Sequence, residues 1–292
     1  PAPERRFEVQ VPLRSPWAGV THRRATIVAG PAGYGEASPF PGFHCDRALA
    51  LACAREAAHV GWPAARRAAV PVNAVIGPLS PSAAAAAAAD AVGRGFACIK
   101  VKVGDGDDVA RVSEVRNAVG PGVALRVDAN GAWDVEEAER RLTAMAHYGL
   151  ELAEQPVASL EDLARLRRRV DVALAADESV RTTDDAVRLA RLDAADVVVV
   201  KVQPLGGVRA ALAVVEAAGR PALVTSMIET SVGLAAGLAL AAALDELPFA
   251  CGLATAALLA ADITDDPLVP HAGVLRVRPV VPDPVLLERH AV

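Results

Sequence analysis

The sequence predicts an α/β protein: a (β/α) barrel of the TIM type with a smaller α+β capping domain. Apolar runs that each end in a charged or polar residue recur down the chain, at Lys102, Asp128, Glu154, Asp177, Lys201 and Ser226, in steps of 26, 26, 23, 24 and 25 residues. A period in the mid-twenties is one strand, one helix and two short loops, the repeating unit of a parallel barrel. Residues 1 to about 70 lack this rhythm and alternate as antiparallel strands do. Of the 292 residues, 53% are hydrophobic but only 3% aromatic, so the core must be built from Ala, Val and Leu, which suits a helix-rich α/β fold.

The capping domain is expected over residues 1–70, with part of the tail 265–292 added to it, and the barrel over residues 71–264. Phe7 to Leu13 and Arg24 to Gly30 read as strands joined by a loop from Arg14 to His22, and Gly33 to Ser38 turns into a third strand. A helix follows from Asp46 to Val60, and the loops of this domain could close over a barrel mouth. Val70 to Gly77 reads as the first barrel strand. The polyalanine after Pro81 is an ordered helix, because Pro suits a helix start and Ala is the best helix former. The second barrel strand ends in Lys100-Val-Lys102, the third at Asp128, the fourth at Glu154, the fifth at Asp177, the sixth at Lys201, the seventh at Ser226, and Phe249 to Ala254 supplies the eighth. Gly206-Gly207 could cradle a phosphate, but a diglycine turn opening a helix is the commoner use. In the tail, Val274 to Arg278 reads as a short strand packing back on the barrel or cap.

A net charge of −5 and a pI near 5.7 exclude a broad basic face for nucleic acid. The basic run Arg165 to Arg169 reads as the solvated end of a helix. Cys45, Cys53, Cys98 and Cys251 show no C-x-x-C spacing and read as buried thiols of a reducing compartment. The stretch from Pro1 to Arg6 is too polar for a secretory leader. The longest apolar region, Ser231 to Ala261, is broken by Asp245, Glu246 and Pro248, so no membrane span is expected and the location reads as cytoplasmic.

All the polar strand ends share the C-terminal mouth of the barrel, where barrel enzymes keep their chemistry. Lys100 and Lys102 lie on one face of their strand, where like charge and burial would push an amine towards neutrality. Asp128, Glu154 and Asp177 stand on consecutive strands spaced about 4.8 Å apart. Three crowded carboxylates repel unless a hard divalent cation joins them, and an all-oxygen set favours Mg²⁺, with Mn²⁺ able to substitute. Glu178 would point away from Asp177 if the strand persisted, so Asp177 is the expected ligand. Asn130 and Arg126 flank Asp128 on its face and are candidates for supporting or substrate contacts, with an inner barrel salt bridge an equal alternative for Arg126. Ser226, Gly252 and Leu253 complete the expected substrate wall. Lys102 and Lys201 flank the carboxylates, so a small carboxylate substrate held between them would expose its α-carbon to an amine on each side.

In order, K-x-K, D-x-N-x-x-W, E-Q-P, D-E-S and K-x-Q-x-x-G-G resemble the enolase superfamily, and Gly33 to Glu36 extends the likeness into the cap. Lysines on the second and sixth barrel strands resemble the muconate-cycloisomerase-like subgroup, and the compact chain resembles its o-succinylbenzoate synthases most. That resemblance implies Mg²⁺-dependent syn dehydration of 2-succinyl-6-hydroxy-2,4-cyclohexadiene-1-carboxylate through an enediolate, with Lys102 as base and then acid, Lys201 stabilising the enediolate and Lys100 supporting Lys102. The strand-eight stretch Cys251 to Thr255 lacks the paired aspartates of dipeptide epimerases. Racemisation of an N-succinylamino acid needs the same residues and stays open. A Schiff-base aldolase barrel using Lys201 would not need three carboxylates. Oligomeric state is not legible.

Overall fold

The computed structural model describes residues 4–41, 43 and 45–292; the first three residues of the polar stretch at Pro1 lie outside these. Strands β1 (Arg5–Trp17), β2 (Val20–Gly30) and β3 (Gly33–Ala37) form an antiparallel sheet in chain order. Their alternation buries Val9, Val11, Ala25 and Ile27. The expected loop from Arg14 to His22 is mostly strand: β1 runs on to Trp17, and the chain reverses over Ala18 and Gly19, both at positive φ (46° and 78°). Long-range contacts hold it extended. Leu13 bridges Leu259, the Ala260 N–H donates to the Pro12 carbonyl, and Arg14 Nε donates to the Ala257 carbonyl.

Helix α1 (Arg47–Arg55) starts where Asp46 accepts the Ala48 N–H, and it runs into one π-helical turn, Glu56–Val60. It lies flat on β3. A Cβ at Gly35 would sit 2.1 Å from the Ala54 carbonyl oxygen, so only glycine allows that approach.

The expected first barrel strand is split, with β4 (Ala69–Pro71) leaving the barrel and β5 (Ala74–Ile76) entering it. Then come α2 (Pro81–Gly93), β6 (Cys98–Lys102), α3 (Asp108–Val119), β7 (Ala124–Asp128), α4 (Val135–Met145), β8 (Leu150–Glu154) and α5 (Leu160–Arg167). The alternation continues through β9 (Leu174–Ala176), α6 (Thr183–Leu192), β10 (Val197–Val200), α7 (Val202–Leu205), α8 (Val208–Ala218), β11 (Ala222–Val224) and α9 (Ser231–Ala243). Ser80, Asp134, Ser159 and Thr182 each cap the helix that follows, Thr182 within a capping box with Asp185. Strands β5 to β11 lie side by side in sequence order, all parallel.

The expected eighth strand is reduced to two bridging residues, Cys251 beside Val72 and Gly252 beside Thr225. Beyond them the chain turns into a 3₁₀ segment, Ala254–Leu258, instead of continuing the ladder. The apolar region after Ser231 is α9, buried from Ser231 to Ala242; among the described residues no helix is long and apolar enough to cross a membrane. In the tail, β12 (Val274–Arg276) pairs with β4, and α10 (Pro284–Arg289) brings the His290 carbonyl to the Gln10 N–H. The tail thus touches both barrel and cap. At Gly206-Gly207 the Glu56 carboxylate occupies the start of α8, accepting the Val208 and Arg209 N–H groups, so the pair is a turn and not a phosphate cradle.

Candidate active site

The parallel register sets the site. Lys102 pairs with Asp128, Asp128 with Glu154, and Glu154 with Ala175, two residues before Asp177. Because side chains alternate in a strand, this row presents its charged groups to the same mouth, with Lys100 one pleat beneath Lys102. A cavity of about 720 Å³ opens there, lined by Lys100, Lys102, Asp128, Glu154, Asp177 and Lys201. The cap closes it from above with Trp17 at the hairpin tip and Phe40 and Phe43 from the segment after β3.

Inside the cavity the lysines and carboxylates neutralise one another. Lys100 Nζ lies 2.9 Å from Asp128 Oδ2 and 2.8 Å from Glu154 Oε1, and Lys102 Nζ lies 2.6 Å from Asp128 Oδ2. Lys201 pairs with Asp177 and sits 4.7 Å from the centre of the Phe43 ring. At Lys100 the expected lowering does not occur: burial pushes the amine down, but Asp128 and Glu154 outweigh it and hold the ammonium above the usual lysine value. Lys201 is raised for the same reason, burial being outweighed by Asp177. Burial works against the charge of Asp128 too, yet Lys100 and Lys102 hold it well below the usual carboxylate range. Glu154, with burial and the Asp128 charge both acting on it, is pushed up to about 7.

The donor set suits a hard divalent cation. Asp128, Glu154 and Asp177 are all oxygen donors facing one cavity, and the buried Glu154 Oε2 has no hydrogen-bond partner among the described residues. As they stand, each leaning on a lysine, they do not form a closed ligand cluster; among the described residues no group of three His, Cys, Asp or Glu does.

Other expected residues fall differently. Ser226 and Gly252 line the cavity, and Ser226 Oγ donates to the Gly252 carbonyl at 2.7 Å while meeting Thr255 Oγ1 at 2.8 Å. Leu253 does not reach it: its side chain is fully buried against Gly237 of α9, because the chain turns before the strand pattern can present it. Arg126 is not a substrate contact either. It lies fully buried below the row, paired with Glu151 at 2.5 Å and donating to the Ala250 carbonyl at 2.7 Å, the inner salt bridge of the two alternatives. Glu178 does line the cavity, because β9 stops at Ala176 and the alternation that would turn it away has ended. Asn130 sits at positive φ (47°) and accepts from Lys102 Nζ at 2.7 Å. Asn73, Thr255 and the cap aromatics also line the cavity; of these only the cap loops carried a sequence signal.

A family model described as enolase C-terminal domain-like matches residues 83–282, and one described as enolase N-terminal domain-like matches residues 9–58. The chain belongs to the enolase superfamily. Among its enolase-superfamily relatives is the o-succinylbenzoate synthase of Thermobifida fusca (strain YX), 52% identical over 278 residues, covering 92% of this chain and 86% of that protein. The o-succinylbenzoate synthase of Mycolicibacterium smegmatis is 43% identical over 293 residues, covering 97% and 89%. The L-Ala-D/L-Glu epimerase of Bacillus subtilis has the same fold, with a TM-score of 0.86 at 25% identity over 96% of both chains. Enolase-superfamily membership implies a divalent metal, which the three carboxylates fit.

Proposed function

We propose that the chain is an o-succinylbenzoate synthase, a lyase that removes water from 2-succinyl-6-hydroxy-2,4-cyclohexadiene-1-carboxylate to give o-succinylbenzoate in menaquinone biosynthesis. The observation that carries it is one cavity holding three carboxylates between Lys102 and Lys201 in a chain 52% identical to a protein of that name. Lys102 takes the α-proton as an amine, and the ammonium so formed returns a proton to the departing hydroxyl on the same face, which leaves as water. Loss of water makes the ring aromatic. Lys201, from the other side, stabilises the negative charge that develops on the substrate carboxylate, and Lys100 holds Asp128 and Glu154 in place beneath it.

A positioned base contributes about 10²–10⁴-fold, roughly 3–5 kcal/mol, where enzymes supply at least about 8. The remainder falls to charge stabilisation at the carboxylate. Asp128, Glu154 and Asp177 would hold magnesium, with manganese able to substitute, and that cation would spread the developing negative charge. The all-oxygen donor set supports this choice of metal. A cytoplasmic location is supported by the free thiols Cys45, Cys53, Cys98 and Cys251.

Lysines flanking the carboxylates on both sides also suit racemisation, in which two amines exchange protons from opposite faces. The deciding experiment compares kcat/KM for the cyclohexadiene carboxylate with that for N-succinyl amino acids on one preparation, with α-deuterium exchange in D₂O followed by NMR. Equal or greater efficiency on the amino acids would replace dehydration by racemisation as the main activity.

A further inference from the structure

We propose that Glu178 is a positioning residue for the proton-transferring amine of Lys102, acting through Asn130. This role rests on the assignment of Lys102 as base, and an unbroken chain of contacts joins that amine to Glu178. Lys102 Nζ donates to Asn130 Oδ1 at 2.7 Å, and Asn130 Nδ2 donates to Glu178 Oε1 at 2.8 Å. The other oxygen, Glu178 Oε2, is buried with no hydrogen-bond partner among the described residues, so the one side-chain hydrogen bond this carboxylate makes among them is to Asn130, while its charge also acts through space on Lys201.

A carboxamide presents an acceptor on one side and a donor on the other, and its two orientations have the same shape. Only one orientation suits an amine. A carboxylate behind the amide can accept but not donate, so it holds the NH₂ group towards itself and the oxygen towards Lys102. The backbone fixes the rest. Asn130 is left-handed, its N–H donating to Asp128 Oδ1 at 3.1 Å and the next N–H, of Gly131, to the Gln155 carbonyl at 2.6 Å. Asparagine adopts that conformation at low cost, and here it delivers the amide between the two strands.

The consequence for chemistry lies in the amine's directions. A neutral amine has two N–H bonds and one lone pair at tetrahedral angles. Asn130 Oδ1 and Asp128 Oδ2, at 2.7 and 2.6 Å, take two of those directions, and what is left is a cavity-facing one for the lone pair. With the amide free to flip, a donor would face the amine and the lone pair would be drawn off target.

The test uses the metal-loaded full chain with the cyclohexadiene carboxylate. Glu178→Gln is expected to lower kcat by about 10-fold, within the 10–100-fold usual for residues behind a functional group, with KM changed less than about 2-fold. Mn²⁺ affinity, read by electron paramagnetic resonance without turnover, and the unfolding midpoint are expected to match the parent. Asn130→Ala should lower kcat by a similar factor, and the double variant should be no slower than Asn130→Ala alone, since Glu178 acts only through Asn130. Additive losses in the double variant, weakened Mn²⁺ binding in Glu178→Gln, or an unchanged kcat would each overturn the proposal. Lys102→Ala in the same series reports on the underlying assignment: if it is inactive while Glu178→Gln matches the parent, only the positioning role fails, and if it turns over normally the base assignment itself fails.

Discussion

Glu36 makes the fold's stability depend on pH in a direction opposite to that of most carboxylates. It is 3% exposed at the seam between the cap strand β3 and helix α9, and accepts from Ser38 Oγ at 2.6 Å, from the Gly233 N–H at 3.0 Å, and from the N–H and hydroxyl of Thr230. Burial drives its pKa from 4.5 up to about 7, the four donors only partly resisting and Glu229 adding to the rise. A carboxyl group raised on folding contributes stability that is complete below about 4.5 and lost as pH climbs through about 7. At about 1.4 kcal/mol for each tenfold change in proton affinity, the loss between pH 5 and pH 8 is on the order of 2–3 kcal/mol. Glu36→Gln, neutral throughout, removes that dependence. The stability difference, variant minus parent, should therefore rise by roughly 2–3 kcal/mol from pH 5 to pH 8 in urea unfolding, or by about 4 °C in Tm at this chain length. Glu229 loses a like-charged neighbour in the variant, so the direction of the trend, a gain of the variant over the parent as pH rises, is what tests Glu36. Parallel curves for the two proteins would refute the reasoning.

Further outcomes follow from the site and the cap. Exhaustive chelation should abolish turnover, and Asp177→Asn should weaken Mn²⁺ binding at least about 10-fold by electron paramagnetic resonance, whereas full activity after chelation would remove the metal from the chemistry. Lys102→Ala and Lys201→Ala should each cut kcat by about 10³-fold or more while circular dichroism stays native; near-normal turnover in either would cancel that lysine's role. Gly35→Ala, which must move the Ala54 carbonyl of α1, should cost about 1–3 kcal/mol in urea unfolding, and an unchanged midpoint would mean that the helix does not bear on β3.

The barrel was legible because its period is local. Each strand end from Lys102 to Lys201 announces itself by an apolar run, and in-register parallel pairing converts that spacing into a row. What was not legible depends on where a strand stops. Glu178 was turned away by an alternation that ends two residues earlier, at Ala176. Leu253 was assigned to a wall from a strand that exists as two bridges. Arg126 obeys the alternation, yet it lies too deep in the barrel for a substrate and finds Glu151, a partner whose depth no periodicity encodes. The hairpin between Arg14 and His22 looked like a loop because Pro16 and Gly19 are turn formers, but residues 257–260, far along the chain, pull it straight.

The two-residue closure of the ring separates two tasks that most of the barrel combines. The amines and carboxylates stand at or just past the ends of β6 to β10, parallel strands whose pairing sets the row, so a change of register would misplace them. The opposite wall, from Gly252 through Thr255 to Leu258, is joined to its neighbours by a handful of backbone bonds, among them Cys251 N–H to the Pro71 carbonyl and Gly252 N–H to the Val224 carbonyl at 2.8 Å each. Substitutions there would reshape the cavity wall while leaving Lys102, Asp128, Glu154, Asp177 and Lys201 on the other side of it. A ring sewn shut this lightly can be reshaped at its seam while the row of charged groups opposite stays where its strands put it.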